Sequence, residues 1–225
     1  MHLTELHLHT PHLAEERVFY TTTLGLPVVE ETRDAFLVQA GETRLAFHAS
    51  RQAEARYHFA FAIPGQAWVQ ARAWLLARVA LLTREEQDVF FLDNWNAHSM
   101  YFHDAAGNLV EFIAHHALPA EASGAFGVQD ILRLSEIGLV VEDVPGMVAL
   151  LHSWLGLDPY HAFTHHEFTA VGDIYGLFIV VHTGRIWFPT GSEQAGVAPV
   201  QVTIKGGHES HYQVPHFPYQ IRVRR

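Results

Sequence analysis

"ELHLHTPHLAEERVFYTTTLGL", residues 5–26, and "EIGLVVEDVPGMVALLHSWLGL", residues 136–157, align without a gap. Each segment predicts a strand, a turn and an amphipathic helix in that order. Each also ends in Leu-Gly-Leu, where Gly25 and Gly156 would cap the helix. The chain therefore contains an internal repeat, and the repeat sets the fold class.

The repeat continues beyond this pair of segments. "AFLVQAGETRLAF" (35–47) and "EFTAVGDIYGLFIVV" (167–181) both have the pattern of a hairpin, with two strands joined by a glycine-containing turn. Residues 58–79 again predict strand, turn and helix, and "HSMYFHDAAGNLVEFIAHH" (98–116) predicts two strands around the tight turn "DAAGN". "APVQVTI" (198–204) begins a fourth copy.

The order βαβββ thus recurs over residues 1–50, 56–116 and 130–183, which we call modules one, two and three. Module four begins at 198 and is incomplete. The predicted fold class is α+β, with repeated βαβββ modules that form curved mixed sheets, three of them complete and the fourth partial.

Composition excludes several classes of protein. The chain has 225 residues, no cysteine and a formal net charge of −10, from 24 acidic and 14 basic residues. Disulfides, zinc fingers and iron–sulfur clusters are therefore excluded, and nucleic acid is a poor candidate partner. No signal peptide or membrane span is evident, which predicts a cytoplasmic protein without a membrane partner. Eighteen histidines are an excess, and histidine is a common metal ligand.

Two stretches carry polar groups with the spacing of strands. Glu5, His7 and His9 alternate with leucines, so they would share one face of a half-buried strand. Glu111 lies among apolar residues in "NLVEFIA", where a lone carboxylate is costly unless it is paired, hydrogen-bonded or bound to a metal.

"FYTTTLGLP" (19–27) and "HSMYFHDAAGNLVEFIAHH" (98–116) resemble the vicinal oxygen chelate superfamily. That superfamily includes glyoxalase I, fosfomycin- and bleomycin-resistance proteins, and extradiol dioxygenases. The second stretch is similar to the family's "YF-DP-GN-x-E" ending, with Ala105 in place of the usual proline. The resemblance covers residues 1–116 well and 130–204 less fully.

The resemblance implies that paired modules form a curved, glyoxalase-like sheet that cups a divalent metal. The family's first-strand ligand positions fall on Glu5 and His58, and its closing-strand position falls on Glu111. The fourth position falls near Ala46, which cannot bind a metal, and His48 is a weak substitute. A hydrogen-bonded histidine at a strand start is an alternative reading of His58.

The resemblance also suggests roles for four further residues. His7 competes with Glu5 as the first-strand ligand, and His7 or His9 would transfer a proton. His9 lies where glyoxalase-like members contact substrate. Ser99 and Tyr101 lie where fosfomycin-resistance proteins place substrate-binding hydroxyls, and Tyr101 is also a catalytic candidate. Ordinary polar spacing in a half-buried strand explains Ser99 and Tyr101 equally well.

The resemblance implies domain boundaries as well. Residues 1–116 would form the metal cup, 117–129 a linker, 130–204 a degenerate second half, and 205–225 a C-terminal tail. The degenerate half would support the cup or form a dimer interface. A site of one histidine and two carboxylates favours Fe²⁺ or Mn²⁺, with Zn²⁺ or Ni²⁺ as alternatives.

The leading hypothesis is a metal-dependent lyase, isomerase or dioxygenase acting on a small molecule with vicinal oxygens. Extradiol ring cleavage is the preferred variant, because histidine and tyrosine groups near Fe²⁺ or Mn²⁺ suit a catechol. Fosfomycin-type substrates are disfavoured, because the predicted cup strands hold too few cations for a phosphonate. The alternative is a metal-free protein that binds or sequesters a flat ligand, as bleomycin-resistance proteins do. A relic site in an interaction module is a third option. Homodimerisation would cover the sheet edges of half-formed modules.

Overall fold

The computed structural model describes residues 1–50, 56–118 and 124–225. Over these residues the chain forms fourteen strands and three α-helices. The strands are β1 (His2–Thr10), β2 (Val28–Glu31), β3 (Ala35–Ala40), β4 (Thr43–Ala49), β5 (His58–Ala62), β6 (Phe90–Leu92), β7 (Ala97–His103), β8 (Leu109–His115), β9 (Arg133–Val141), β10 (Phe168–Asp173), β11 (Gly176–His182), β12 (Val200–Lys205), β13 (Ser210–Gln213) and β14 (Tyr219–Arg224). The helices are α1 (Leu13–Val18), α2 (Trp68–Leu76) and α3 (Val144–Leu155).

The predicted glycines follow the helical segments of modules one and three, and an aspartate that was not predicted as a cap precedes α3. Asp143 accepts a hydrogen bond from the backbone N–H of Gly146 at 2.9 Å and so caps α3. Gly156 ends α3 at φ 65°, and Gly25 follows the π-helical turn Phe19–Thr23 at φ 79°. No helix in the described ranges is long and apolar enough to cross a membrane.

The strands form two mixed seven-stranded sheets. The first sheet has the order β13-β14-β12-β1-β4-β3-β2, and the second has the order β10-β11-β9-β5-β8-β7-β6. In the first, β1 is antiparallel to β12 and parallel to β4; in the second, β5 is antiparallel to β9 and parallel to β8. The predicted fold class of repeated modules in curved mixed sheets is confirmed.

The modules pair differently from the expected arrangement. Module one shares a sheet with module four, and module two shares a sheet with module three. Residues 1–116 therefore do not form one cup, and the strands of 130–204 are divided between both sheets. Modules one and two have four strands each, and modules three and four have three within the described residues. In every module the first and last strands pair in parallel, so this shared pattern does not specify which module is the partner. Part of the expected linker, 119–123, lies outside the described residues.

The expected C-terminal tail, 205–225, contains two strands. β14 pairs in parallel with β12, and β13 pairs antiparallel with β14. The Tyr219 hydroxyl donates to the carbonyl of Val140 at 2.6 Å and accepts from its N–H at 3.0 Å. The tail thus supplies the last two strands of module four and contacts the second sheet. Within the described residues, module four lacks counterparts of both α1 and β2 of module one.

One apolar core lies between the two sheets, and strand alternation decides which side chains enter it. In β5, Phe59 and Phe61 point into this core, whereas His58 and Ala60 point to the opposite face of the second sheet. That opposite face is also buried, because three segments fold over it: β6 with the turn after it, the connection after α3, and the connection after β11. The corresponding face of the first sheet, which carries Glu5, is partly open to solvent.

Candidate metal centre and its pocket

Three buried side chains with metal-ligating atoms converge on the covered face of the second sheet. His58 comes from β5, Glu111 from β8 and Glu136 from β9, and one ligand atom of each lies within 4.8 Å of the others. Ala60 explains the convergence, since it is the register partner of Glu111 on one side and of Glu136 on the other. Its small side chain leaves space between the two carboxylates.

His58 is held as a neutral imidazole. Its Nδ1 lies 3.1 Å from the carbonyl oxygen of Leu109, which can only accept, so Nδ1 carries the proton. Its Nε2 then has a free lone pair and lies 3.6 Å from Oε2 of Glu111. Burial lowers the pKa of His58 to about 4, and the nearby charge of Arg185 also lowers it. This is the form in which histidine binds a metal.

Glu111 is oriented by a neighbouring strand. The Ser99 hydroxyl of β7 donates to Oε1 of Glu111 at 2.5 Å. Burial raises the pKa of Glu111 to about 7, although hydrogen bonds from Ser99 and Tyr101 oppose the shift. Ser99 therefore fixes one carboxylate oxygen and leaves the other facing His58.

Glu136 has an oxygen without a partner. Its Oε1 is buried and makes no hydrogen bond within the described residues. Burial and the charge of Glu111 both raise the pKa of Glu136 well above its usual value. Two buried carboxylates this close cannot both be ionised without a cation between them. A divalent metal would neutralise both, so the donor set fits the metal that the resemblance implies.

A cavity of about 490 Å³ opens above the three residues. Aromatic side chains form most of its walls. They come from β6 and the turn after it, from the segment between α3 and β10, and from the β11–β12 connection. The lining residues include Phe91, Trp95, Tyr101, Tyr160, Phe163, Phe168, Trp187 and Phe188. A pocket with apolar walls and converging polar groups at its base is the usual form of a small-molecule site.

Glu5, His7 and His9 lie on the other sheet. Glu5 accepts from Arg44 at 2.9 Å, and its Oε1 lies 2.6 Å from Nε2 of His7. Nδ1 of His7 in turn lies 2.8 Å from Nε2 of His48, and the ring of His9 lies against that of His48. The structure does not bring this chain of side chains to His58 and Glu111, because β1 pairs with β4 and β12 rather than with the second sheet. The expected grouping of Glu5 with His58 and Glu111 is therefore corrected.

The other predicted residues fall on the covered face. Ser99 bonds to Glu111, and Tyr101 lines the cavity. Both lie where β7 runs beside β8, with Tyr101 opposite Glu111 in register. The structure thus brings four of the predicted site residues together, and their roles stay predictions: His58, Ser99, Tyr101 and Glu111.

Glu136 is the candidate ligand that sequence reasoning missed. It occupies the same repeat position as Glu5, and its strand "LSEIGLVV" is apolar around it, as the strand of Glu111 is. That apolar setting was the available signal, because Glu5 has histidines beside it and Glu136 has none. The aromatic walls gave no comparable signal, since they come from connections without periodicity.

Comparisons with known proteins show the fold. No family model matches the chain, and no curated protein matches it. Among solved structures, a "putative dioxygenase" from Bacillus subtilis subsp. subtilis str. 168 superposes with a TM-score of 0.64 at 15% identity, covering 99% of this chain and 85% of that one. The V278E mutant of glyoxalase I from Zea mays gives a TM-score of 0.60 at 11% identity, covering 99% and 91%. These similarities agree with the fold of the vicinal oxygen chelate superfamily.

Proposed function

We propose that this chain is a metal-dependent enzyme of the glyoxalase or dioxygenase type, with its centre at His58, Glu111 and Glu136. Its substrate would be a small molecule with two adjacent oxygens. The observation that carries the proposal is the unpartnered buried oxygen of Glu136, which faces Glu111 and His58 beneath the cavity. A carboxylate in that position has no other apparent role in the described part of the chain.

A divalent metal bound there would supply Lewis-acid chemistry to a chelated substrate. His58 Nε2 and the two carboxylates would hold the metal, and Ser99 would keep Glu111 in its orientation. Burial keeps the pKa of the Tyr101 hydroxyl well above its usual value, so this group retains its proton and can donate a hydrogen bond beside Glu111. The rings of the walls would exclude water from the bound substrate.

The chemical type of the three proposed ligands also affects which metal ion is favoured. One imidazole and two carboxylates form a harder set than two imidazoles and one carboxylate, which favours Mn²⁺ or Fe²⁺ over Zn²⁺ or Ni²⁺. We further propose a homodimer, since β2 is a fully exposed edge strand that presents Val28 and Val29.

Turnover by matched variants tests the proposed function. The untagged protein would be loaded anaerobically with Fe²⁺ or Mn²⁺. It would then be assayed for oxygen uptake with a series of catechols and for isomerisation of a glutathione hemithioacetal. We expect one of these activities in the wild type and in Glu5→Gln, and a loss of at least about 100-fold in Glu136→Gln. Equal activity in Glu136→Gln, or loss in Glu5→Gln alone, would contradict the proposal.

A metal-free binding protein is the second candidate, and the aromatic walls support it. A flat ligand can stack between such rings without a metal. Binding of flat aromatic compounds that survives metal removal, together with no turnover under any metal, would favour this candidate.

A further inference from the structure

Aromatic rings outnumber aliphatic side chains in the walls of the cavity. Trp187 packs on the imidazole of His58 with ring centroids 4.8 Å apart. Phe188 meets Tyr101 edge-on at 5.7 Å, and Trp95 meets Tyr160 at 5.5 Å. Fixed rings on several sides favour a planar ligand, because a ring can stack on them with little loss of side-chain entropy.

Arg185 is the one arginine or lysine among the described residues that line this cavity. It follows the turn after β11 and is half-buried. Its guanidinium carbon lies 4.9 Å from the ring centroid of Phe168, and its Nη1 makes a long 3.4 Å hydrogen bond to the carbonyl of Ile186. These contacts leave most of its five N–H donors unused.

Arg185 has no carboxylate partner in the described ranges, although other arginines do. Arg72 forms a bidentate ion pair with Asp88, with both N–O distances 2.7 Å, and Arg17 forms a similar ion pair with Glu31. No acidic oxygen within 4.0 Å of Arg185 is found in the described residues. Burial lowers the pKa of Arg185, and the charge of the exposed Glu167, which lies beyond ion-pair distance, opposes this shift.

The charges of the site leave Arg185 without a carboxylate in contact among the described residues. A divalent metal would balance Glu111 and Glu136, with His58 neutral. Arg185 then remains as a separate positive charge near the centre, since it affects the pKa of His58. The remaining acidic residue of the lining, Asp93, is exposed. A ligand that carries an anion at the Arg185 side would complete this arrangement.

We infer that Arg185 forms an anion subsite, and that the ligand is a planar aromatic molecule bearing a carboxylate in addition to its two adjacent oxygens. A single planar guanidinium matches a singly charged carboxylate, whereas a phosphonate would call for more cations. The part concerning adjacent oxygens rests on the proposed function; the anion subsite does not. Arg185 determines specificity here and takes no part in the reaction.

The anion subsite is tested without metal, so that it stands apart from the proposed function. Binding of benzoate and of benzamide to the metal-free protein would be measured by saturation-transfer NMR and by quenching of tryptophan fluorescence. We expect benzoate to bind about tenfold more tightly than benzamide, and Arg185→Gln to remove that preference while leaving benzamide unchanged. Arg33→Gln, on the exposed β2–β3 turn, is the matched control and should behave as the wild type. Equal binding of the two probes by the wild type, no binding of either, or a preference that survives in Arg185→Gln overturns the inference.

The full ligand class is tested with the Mn²⁺-loaded protein. Catechol, 2,3-dihydroxybenzoate and 3,4-dihydroxybenzoate would be compared by calorimetry. We expect at least one dihydroxybenzoate to bind about tenfold more tightly than catechol, and this advantage to disappear in Arg185→Gln. If catechol binds as tightly as both dihydroxybenzoates, the inference is overturned, whereas the proposed metal centre is not contradicted. A protein that takes up no metal, yet prefers benzoate, would instead refute the proposed function and support the subsite.

Discussion

At the scale of single residues, the proposed metal binding depends on the free-energy cost of burying the carboxylate of Glu136. A carboxylate removed from water without hydrogen bonds loses several kcal/mol unless it is protonated or paired with a cation. Glu111 raises that cost, because the two carboxylates are neighbours across Ala60. A bound metal would replace the repulsion between the two carboxylates with attraction to the cation. The two glutamates are therefore better indicators of a metal site than the eighteen histidines.

Ser99 should contribute to metal affinity through Glu111. Ser99→Ala removes the hydrogen bond to Oε1, so Glu111 loses its fixed orientation and the affinity for Mn²⁺ should fall about 10- to 100-fold. Ser135→Ala is the matched control, since Ser135 is also buried in this sheet and its hydroxyl makes only a 3.5 Å hydrogen bond to Ala60. Equal Mn²⁺ affinities of the two variants in a calorimetric titration would contradict this role of Ser99.

At the scale of elements, hydrogen bonds of buried acidic groups join the α1 region of module one to the β7–β8 turn of module two. Asp104 accepts from Tyr20 at 2.7 Å and from Asn108 at 2.8 Å, and Asn108 also donates to Glu16 at 3.0 Å. Oε2 of Glu16 is buried and has no partner in the described part of the structure. Burial and the adjacent Asp104 raise the pKa of Glu16 to about 10.

The stability of the protein should therefore depend on Glu16 and on pH. Between the ordinary pKa of 4.5 and about 10, the folded protein keeps a proton that the unfolded chain has lost, so the free energy of unfolding falls as the pH rises. Glu16→Gln retains an acceptor for Asn108 and removes this titration. Urea unfolding should show the variant more stable than the wild type by at least about 1 kcal/mol at pH 8.5, and close to it at pH 5.

Glu15→Gln, one residue earlier and exposed, should follow the wild type at both pH values. If the Glu16→Gln curve ran parallel to that of the wild type, Glu16 would not be protonated in the folded state.

Sequence patterns predicted these elements unevenly. The strand–helix–glycine repeat and the "DAAGN" turn could be predicted, because periodicity and turn residues are local signals. β13 was difficult to predict because it has only four residues, whereas β14 has the alternating apolar and polar residues of an ordinary strand, a local signal that the expectation of a tail overlooked. The aromatic walls of the cavity could not be predicted, because the position of most of these side chains depends on the conformation of loops.

At the scale of the whole molecule, the pairing of modules decides where the centre lies. β1 and β5 open modules of similar pattern, yet β1 joins β12 and β5 joins β9. Local sequence specifies each module, whereas the choice between partners depends on how whole sheets pack. That is why His58 and Glu111 could be predicted together, while Glu5 was grouped with them and Glu136 was not.

Two buried tyrosines join the sheets that this pairing produces. Tyr57, just before β5, donates its hydroxyl to the carbonyl of Pro199 at 2.9 Å and accepts from the N–H of His9 at 3.2 Å. Tyr219 of β14 makes the corresponding pair of bonds to Val140 of β9. Each hydroxyl thus links one sheet to the backbone of the other.

Removing one of these hydroxyls should destabilise the whole fold. Tyr219→Phe leaves the backbone groups of Val140 without these bonds, and the free energy of unfolding should drop by about 1–3 kcal/mol. Tyr175→Phe, with a side chain that is 38% exposed, should change it little. Chemical denaturation measures both, and a Tyr219→Phe protein as stable as the wild type would mean that the C-terminal strands do not bind the second sheet in this way.

The most direct test of the account is the metal content of two glutamate variants that hold the same repeat position. Untagged wild type, Glu136→Gln and Glu5→Gln would be reconstituted with Mn²⁺ or Fe²⁺, freed of unbound metal and measured by elemental analysis, with folding checked by circular dichroism. We expect near-stoichiometric metal in the wild type and in Glu5→Gln, and its loss in folded Glu136→Gln. Metal retained by Glu136→Gln and lost from Glu5→Gln, or absent from all three proteins, would contradict a metal centre in the second sheet.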